Sequence, residues 1–228
     1  MKSFISYILL LCIKYCSKLF YRFEVNWPPK DQIRWNDIRL VIFLNHTSLF
    51  EFLYAAILPN HFLRKLSKRM VAPAADKTLE RPFVGTFFKL FSPGMISITR
   101  KRDYSWANFM DSIYADSIIV IAPEGRMMRR NGLDLQGRKM TVKSGVIDIL
   151  EGLQHENGQI AFAYSGGLHH IQIPGEGAPK IFKTLKLNLE AQNIQDYLKK
   201  FSEPVGSEEW KKMVLNDLQT RLETKVPK

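Results

Sequence analysis

The sequence predicts an α/β domain: a mixed, largely parallel central sheet flanked by helices, with an N-terminal membrane-associated helix. Three observations predict it. Apolar runs at 38–44 (IRLVIFL), 117–122 (SIIVIA) and 159–165 (QIAFAYS) read as buried strands. Segments of helical period fall between them, so strands and helices alternate. A further apolar run, 4–13 (FISYILLLCI), stands near the N-terminus.

That first run is ended by Lys14. It falls short of the about 20 apolar residues that a membrane-crossing helix needs, and no small-residue cleavage site follows it. Lys14, Lys18 and Arg22 recur every four residues beside apolar neighbours. This pattern is read as a helix lying in the interface of an anionic leaflet, with a soluble amphipathic helix packed on the domain as the alternative of the same period. Residues 1–25 are read as the amphipathic anchor and 26–228 as one globular domain.

After the 38–44 strand, Ser48 to Leu58 reads as a helix stopped by Pro59. Residues 61–70 hold four cations and no acid, the pattern of a basic surface segment. Residues 81–91 read as a helix with Pro82 in its first turn, 94–99 as a strand, and 104–115 as a helix. Residues 123–143 form a long basic loop, and long loops inside compact domains usually serve function. A helix at 144–153, a strand at 180–189 and amphipathic helices near 192–201 and 207–224 complete the chain.

The 228 residues, 46% hydrophobic, suit one domain, and no linker or repeat divides them. Lys+Arg 33 against Asp+Glu 22 gives a net charge of +11, which calls for an anionic partner. The 15 phenylalanines beside basic residues fit a membrane surface at least as well as a nucleic-acid groove. No helix-turn-helix, zinc or RNA-recognition pattern supports nucleic acid. Cys12 and Cys16 sit one helical turn apart with no other Cys or His nearby, so neither a disulfide framework nor a metal site is expected. A cytoplasmic, reducing setting follows.

His46 stands directly after a strand, in NHTSLFE, with Glu51 five residues on. On one continuous helix they would point roughly 140° apart. They meet only if His46 lies in the turn before the helix and Glu51 on its first turns, with Thr47 or Ser48 as the cap. A carboxylate on one ring nitrogen then raises the basicity of the other, making His46 a general base for a hydroxyl. Arg100, Lys101 and Arg102 follow the strand at 94–99, and Glu124-Gly125-Arg126 follows that at 117–122. Open α/β sheets place ligands at such strand ends. Arginine forks grip phosphate, and Gly125 permits close backbone approach.

Four blocks resemble, in order, those of the 1-acyl-glycerol-3-phosphate acyltransferases and their relatives. They are NHTSLFE, PFVGTFFKLFSPGMISITR (82–100), APEGR (122–126) followed by Lys143 and Gly145, and IAFAYSGG (160–167). The resemblance implies acyl transfer from acyl-CoA or acyl carrier protein to the hydroxyl of a lysophospholipid, without metal or cofactor. His46 would be the base, and Glu51 would stand where the family has Asp. Asn45, Ser48, Arg100, Glu124, Gly125 and Arg126 would surround the acceptor, together with Lys143. Arg126-Met127 replaces the family's Thr-Arg, which leaves Arg126, Arg129 and Arg130 as alternatives for the phosphate. The implied place is the cytoplasmic face of a membrane, the inner membrane if bacterial. Two further readings stay open: a different lysolipid acceptor, such as an amino-acid-containing one, and a non-catalytic lipid- or carrier-binding module.

Overall fold

The computed structural model describes residues 1–99, 103–173 and 178–227. Along the chain run α1 (Lys2–Phe20), β1 (Arg22–Asn26), β2 (Ile38–Leu44), a 3-10 helix (Leu49–Ile57), α2 (Asn60–Arg69), β3 (Met70–Ala75), α3 (Asp76–Leu79), α4 (Pro82–Phe91), β4 (Met95–Ile98) and α5 (Tyr104–Asp111). Then come β5 (Ile118–Ile121), α6 (Gly145–Gly152), β6 (Gln159–Ser165), β7 (Thr184–Asn193), α7 (Ile194–Lys199) and α8 (Glu208–Thr224). The class is the mixed, largely parallel α/β one expected.

Two compact units divide these elements. The first comprises Met1–Leu19 and Phe52–Ile121. In it β3 pairs in parallel with both β4 and β5. Neither β3 nor β1 was expected: MVAPAA is poor in β-branched residues, and Arg22 belonged to the predicted N-terminal helix. The basic segment at 61–70 proves to be mostly the amphipathic helix α2, which buries Phe62, Leu63, Leu66 and Ser67 while Arg64, Lys68 and Arg69 stay exposed.

Helix α1 corrects the basic-stripe expectation. It ends at Phe20, so Arg22 leaves the stripe, and Lys14 is buried. The Lys14 ammonium donates to the Leu58 carbonyl at 2.6 Å and to Asn60 Oδ1 at 2.7 Å. Those acceptors, just past the end of the 3-10 helix and at the start of α2, satisfy a charge that burial would otherwise penalise. The buried face of α1 is Ser6, Leu10, Lys14 and Ser17. Its exposed side carries Phe4, Ile5, Ile8, Cys12, Tyr15, Cys16, Leu19 and Phe20, with Lys2 and Lys18 among them. The polarity is thus inverted relative to a water-facing helix, whose apolar stripe points inward.

The second unit comprises Phe20–Glu51 and Ala122–Lys228. Its strands pair β1 with β7 in parallel, β7 with β6 antiparallel, and β6 with β2 in parallel. Strand β6 is buried at every position, as a strand covered on both faces must be. Strand β2 alternates, with Ile38, Leu40, Ile42 and Leu44 wholly inside. Helix α8 is fastened by Arg221, whose guanidinium lies 4.4 Å from the Phe162 ring centre. It also bonds Glu190 at 2.8 Å, the Tyr164 hydroxyl at 2.8 Å and Asp217 at 2.7 Å. A half-buried cation is tolerated here because planar stacking and paired carboxylates replace its water.

Candidate active site

Strand β2 ends at Leu44, two residues before His46. At that end Asn45 adopts a left-handed backbone, φ 67°, which Asn accepts more readily than other non-glycine residues. Its side-chain amide donates to the Ser165 carbonyl at 2.6 Å, at the end of neighbouring β6. Its own N–H donates to Glu124 Oε1 at 2.6 Å, and the His46 N–H reaches the same oxygen at 3.3 Å. The His46 carbonyl accepts the Met128 N–H at 2.8 Å, and Thr47 Oγ1 accepts the Leu168 N–H at 2.8 Å.

His46 Nδ1 is hydrogen-bonded to Glu51 Oε2. Glu51 Oε1 accepts the Thr47 N–H at 2.7 Å and the Ser48 N–H at 3.3 Å. Ser48 Oγ in turn accepts the Phe50 N–H at 3.1 Å. Ser48 and Glu51 therefore form a capping box, and the free oxygen of its acid orients the histidine. The helix they open is 3-10 rather than the regular helix expected, so Glu51 lies on its first turn. The additional methylene of Glu relative to Asp lets one carboxylate serve two backbone donors and the ring.

Burial alone would pull the His46 imidazole down. The charge and hydrogen bond of Glu51, with the charge of Glu124, more than offset that and hold it above the ordinary histidine value. Burial is also the main influence on Glu124 and pushes its carboxyl up, against the backbone N–H groups and His46 that favour its ionised form. The His46 side chain remains 21% exposed, and its Nδ1 is the nitrogen that Glu51 engages.

The acyltransferase family model matches residues 26–160, more than half of the chain. The chain belongs to the acyltransferase family. A solved structure similar in fold is the 1-acyl-sn-glycerophosphate acyltransferase PlsC from Thermotoga maritima. The match has a TM-score of 0.53 and 16% identity, and it covers 96% of this chain and 81% of that one. No curated protein matches the chain.

In this acyltransferase the basic loop after Glu124 is built around Asp134, the one acid between Gly125 and Lys143. Burial opposes its ionisation, but the N–H groups of Gln136 and Arg138 and the guanidinium groups of Arg126 and Arg138 hold the carboxyl far below the usual range. Arg126 is bonded directly to it. Arg129 is placed differently. Its N–H donates to the Leu133 carbonyl at 2.7 Å, next to the Met128 that bonds His46. Its side-chain Nε is buried with no hydrogen-bond partner among the described residues. Arg130 is exposed, and Lys143 Nζ donates to Thr141 at 2.7 Å.

The structure thus brings together His46, Glu51, Asn45, Ser48 and Glu124, and the basic loop reaches them through the Met128 N–H, while Arg100 lies outside the described residues. The polar groups of Asn45 and Ser48, expected near the acceptor, are committed inside the turn. Gly125 has φ 62°, and an added Cβ would meet only Lys143 Cγ at 4.0 Å. Its left-handed backbone, not a close approach, is what calls for glycine there. Asp134 and Ser165 escaped the sequence reading. Asp134 did carry a signal: an isolated acid flanked by Gly132 and Gly137 in a basic loop, which is turn chemistry.

Proposed function

We propose that this acyltransferase moves a fatty acyl chain from acyl-CoA or acyl carrier protein to the hydroxyl of a lysophospholipid such as 1-acyl-glycerol-3-phosphate. The observation that carries the reading is the His46 ring, bonded through Nδ1 to Glu51 and flanked by the loop that bears Arg129. The acceptor hydroxyl gives its proton to Nε2 as its oxygen attacks the thioester carbonyl. The tetrahedral intermediate then expels the thiolate, which leaves as a thiol once protonated. Because Asp134 occupies Arg126, Arg129 is the arginine best fitted to the acceptor's phosphate. The fold shared with PlsC, a 1-acyl-sn-glycerophosphate acyltransferase, supports the same substrate class.

The test is labelled acyl transfer in vesicles, with either donor and three acceptors: 1-acyl-glycerol-3-phosphate, its phosphate-free analogue and an amino-acid-containing lysolipid. Turnover is expected on the phosphate-bearing acceptor, at least roughly tenfold above the others given the cost of leaving a site cation unpaired. Preference for another acceptor would replace the phosphate assignment. Binding without turnover on any of them would favour the non-catalytic module.

The inverted polarity of α1 supports a lipid surface as its partner. Phe4 and Leu19 are 68% and 71% exposed, so changing both to Asp should leave the melting temperature nearly unchanged. Each apolar side chain contributes about 1.5 kcal/mol on burial, so vesicle partition should fall roughly a hundredfold. Undiminished co-sedimentation would move the anchor elsewhere.

A further inference from the structure

We infer that Glu124 is a positioning residue for His46 and not a ligand of the acceptor, an inference that rests on the acyl-transfer reading above. Glu124 is 1% exposed. Its Oε1 receives the N–H groups of Asn45 and His46, at 2.6 and 3.3 Å. Successive N–H groups beside a left-handed residue make a small anion-binding concavity, and here the protein fills it with its own carboxylate. The left-handed Asn45, at φ 67°, is what aims both donors at one oxygen. Three further ties converge on the same turn: the Asn45 amide to Ser165, Met128 to His46, and Leu168 to Thr47. Without the carboxylate, two buried N–H groups lose their acceptor and the turn is free to swing the ring away from the acyl donor. A phosphate cannot use donors already taken, and an anion behind them would repel it.

The experiment compares Glu124→Gln, which keeps an acceptor oxygen in place, with Glu124→Ala, which removes it. Misplacement of a reacting group by about 1 Å costs roughly a hundredfold. The Ala variant should therefore lose about that much kcat, and Gln should restore it to within about tenfold of wild type. In neither variant should the acceptor KM move more than about threefold. If Ala does not fold, Glu124→Asp, one methylene short of the two N–H groups, takes its place. An acceptor KM raised with kcat retained would make Glu124 a ligand and overturn the inference, as would wild-type kcat in the Ala variant. A second arm needs no turnover: the ring-nitrogen NMR shifts of labelled His46. Gln should keep the signature of the Nδ1–Glu51 bond and Ala should lose it, and an unchanged spectrum in Ala overturns the inference. A wild type inactive on every acceptor would instead sink the acyl-transfer reading and leave this arm standing.

Discussion

Replacing His46 by alanine should abolish acyl transfer, lowering kcat by about 10²–10⁴. The alcohol of a lysolipid is a poor nucleophile until its proton is taken, and among the described residues only His46 combines a free ring nitrogen with a carboxylate on the other one. The side chain is partly exposed and, among the described residues, its ring bonds only Glu51, so the fold should survive. Labelled acyl transfer, normalised to protein that melts like wild type, checks this. Turnover in the variant within about tenfold of wild type would remove the base from His46.

Glu51→Gln should come close to the same loss. The glutamine oxygen can still accept from Thr47 and Ser48, but its amide then presents hydrogens to Nδ1. The ring must take the tautomer that places its proton on Nε2, where the substrate's proton should go; a wrong tautomer in a comparable hydrolase relay costs about 10⁴. Glu51→Asp keeps the charge yet is one methylene too short to serve the ring and both N–H groups, so activity should be intermediate. The pH profile separates charge from shape. Glu51 and Glu124 are the charged groups that raise His46 above its ordinary value. The acid limb of kcat/KM should therefore lie above about 6.5, the ordinary histidine value, with activity lost as pH falls through it. In Glu51→Gln that limb should move to lower pH. Equal activity and equal limbs in all three proteins would reduce Glu51 to a helix cap.

The sequence shows β2, α4, β5, β6 and α8 because each has a clear period bounded by turn residues. The pairing of His46 with Glu51 was legible too, since a strand-to-helix turn is the only local geometry that joins them. Lys14 was misread because period cannot say which face meets protein; a carbonyl at Leu58 and an amide at Asn60, distant in sequence, decide it. The choice among Arg126, Arg129 and Arg130 stays open in the sequence for a similar reason: Arg126 is bonded to Asp134. Its partner Asp134 lies across a loop whose shape no period encodes. Glu124, an acceptor contact by resemblance, is buried and accepts the Asn45 N–H, a pairing that depends on the left-handed Asn45 and that no period encodes.

Asp134 divides the loop's arginines between scaffolding and recruitment. Its carboxyl stays ionised deep into acid, so the clasp on Arg126 and Arg138 outlasts the acidification, near pH about 6, that strips the second charge from a phosphate monoester. Mild acid therefore alters the guest before it alters the host: the bay keeps its outline while its visitor grows less anionic.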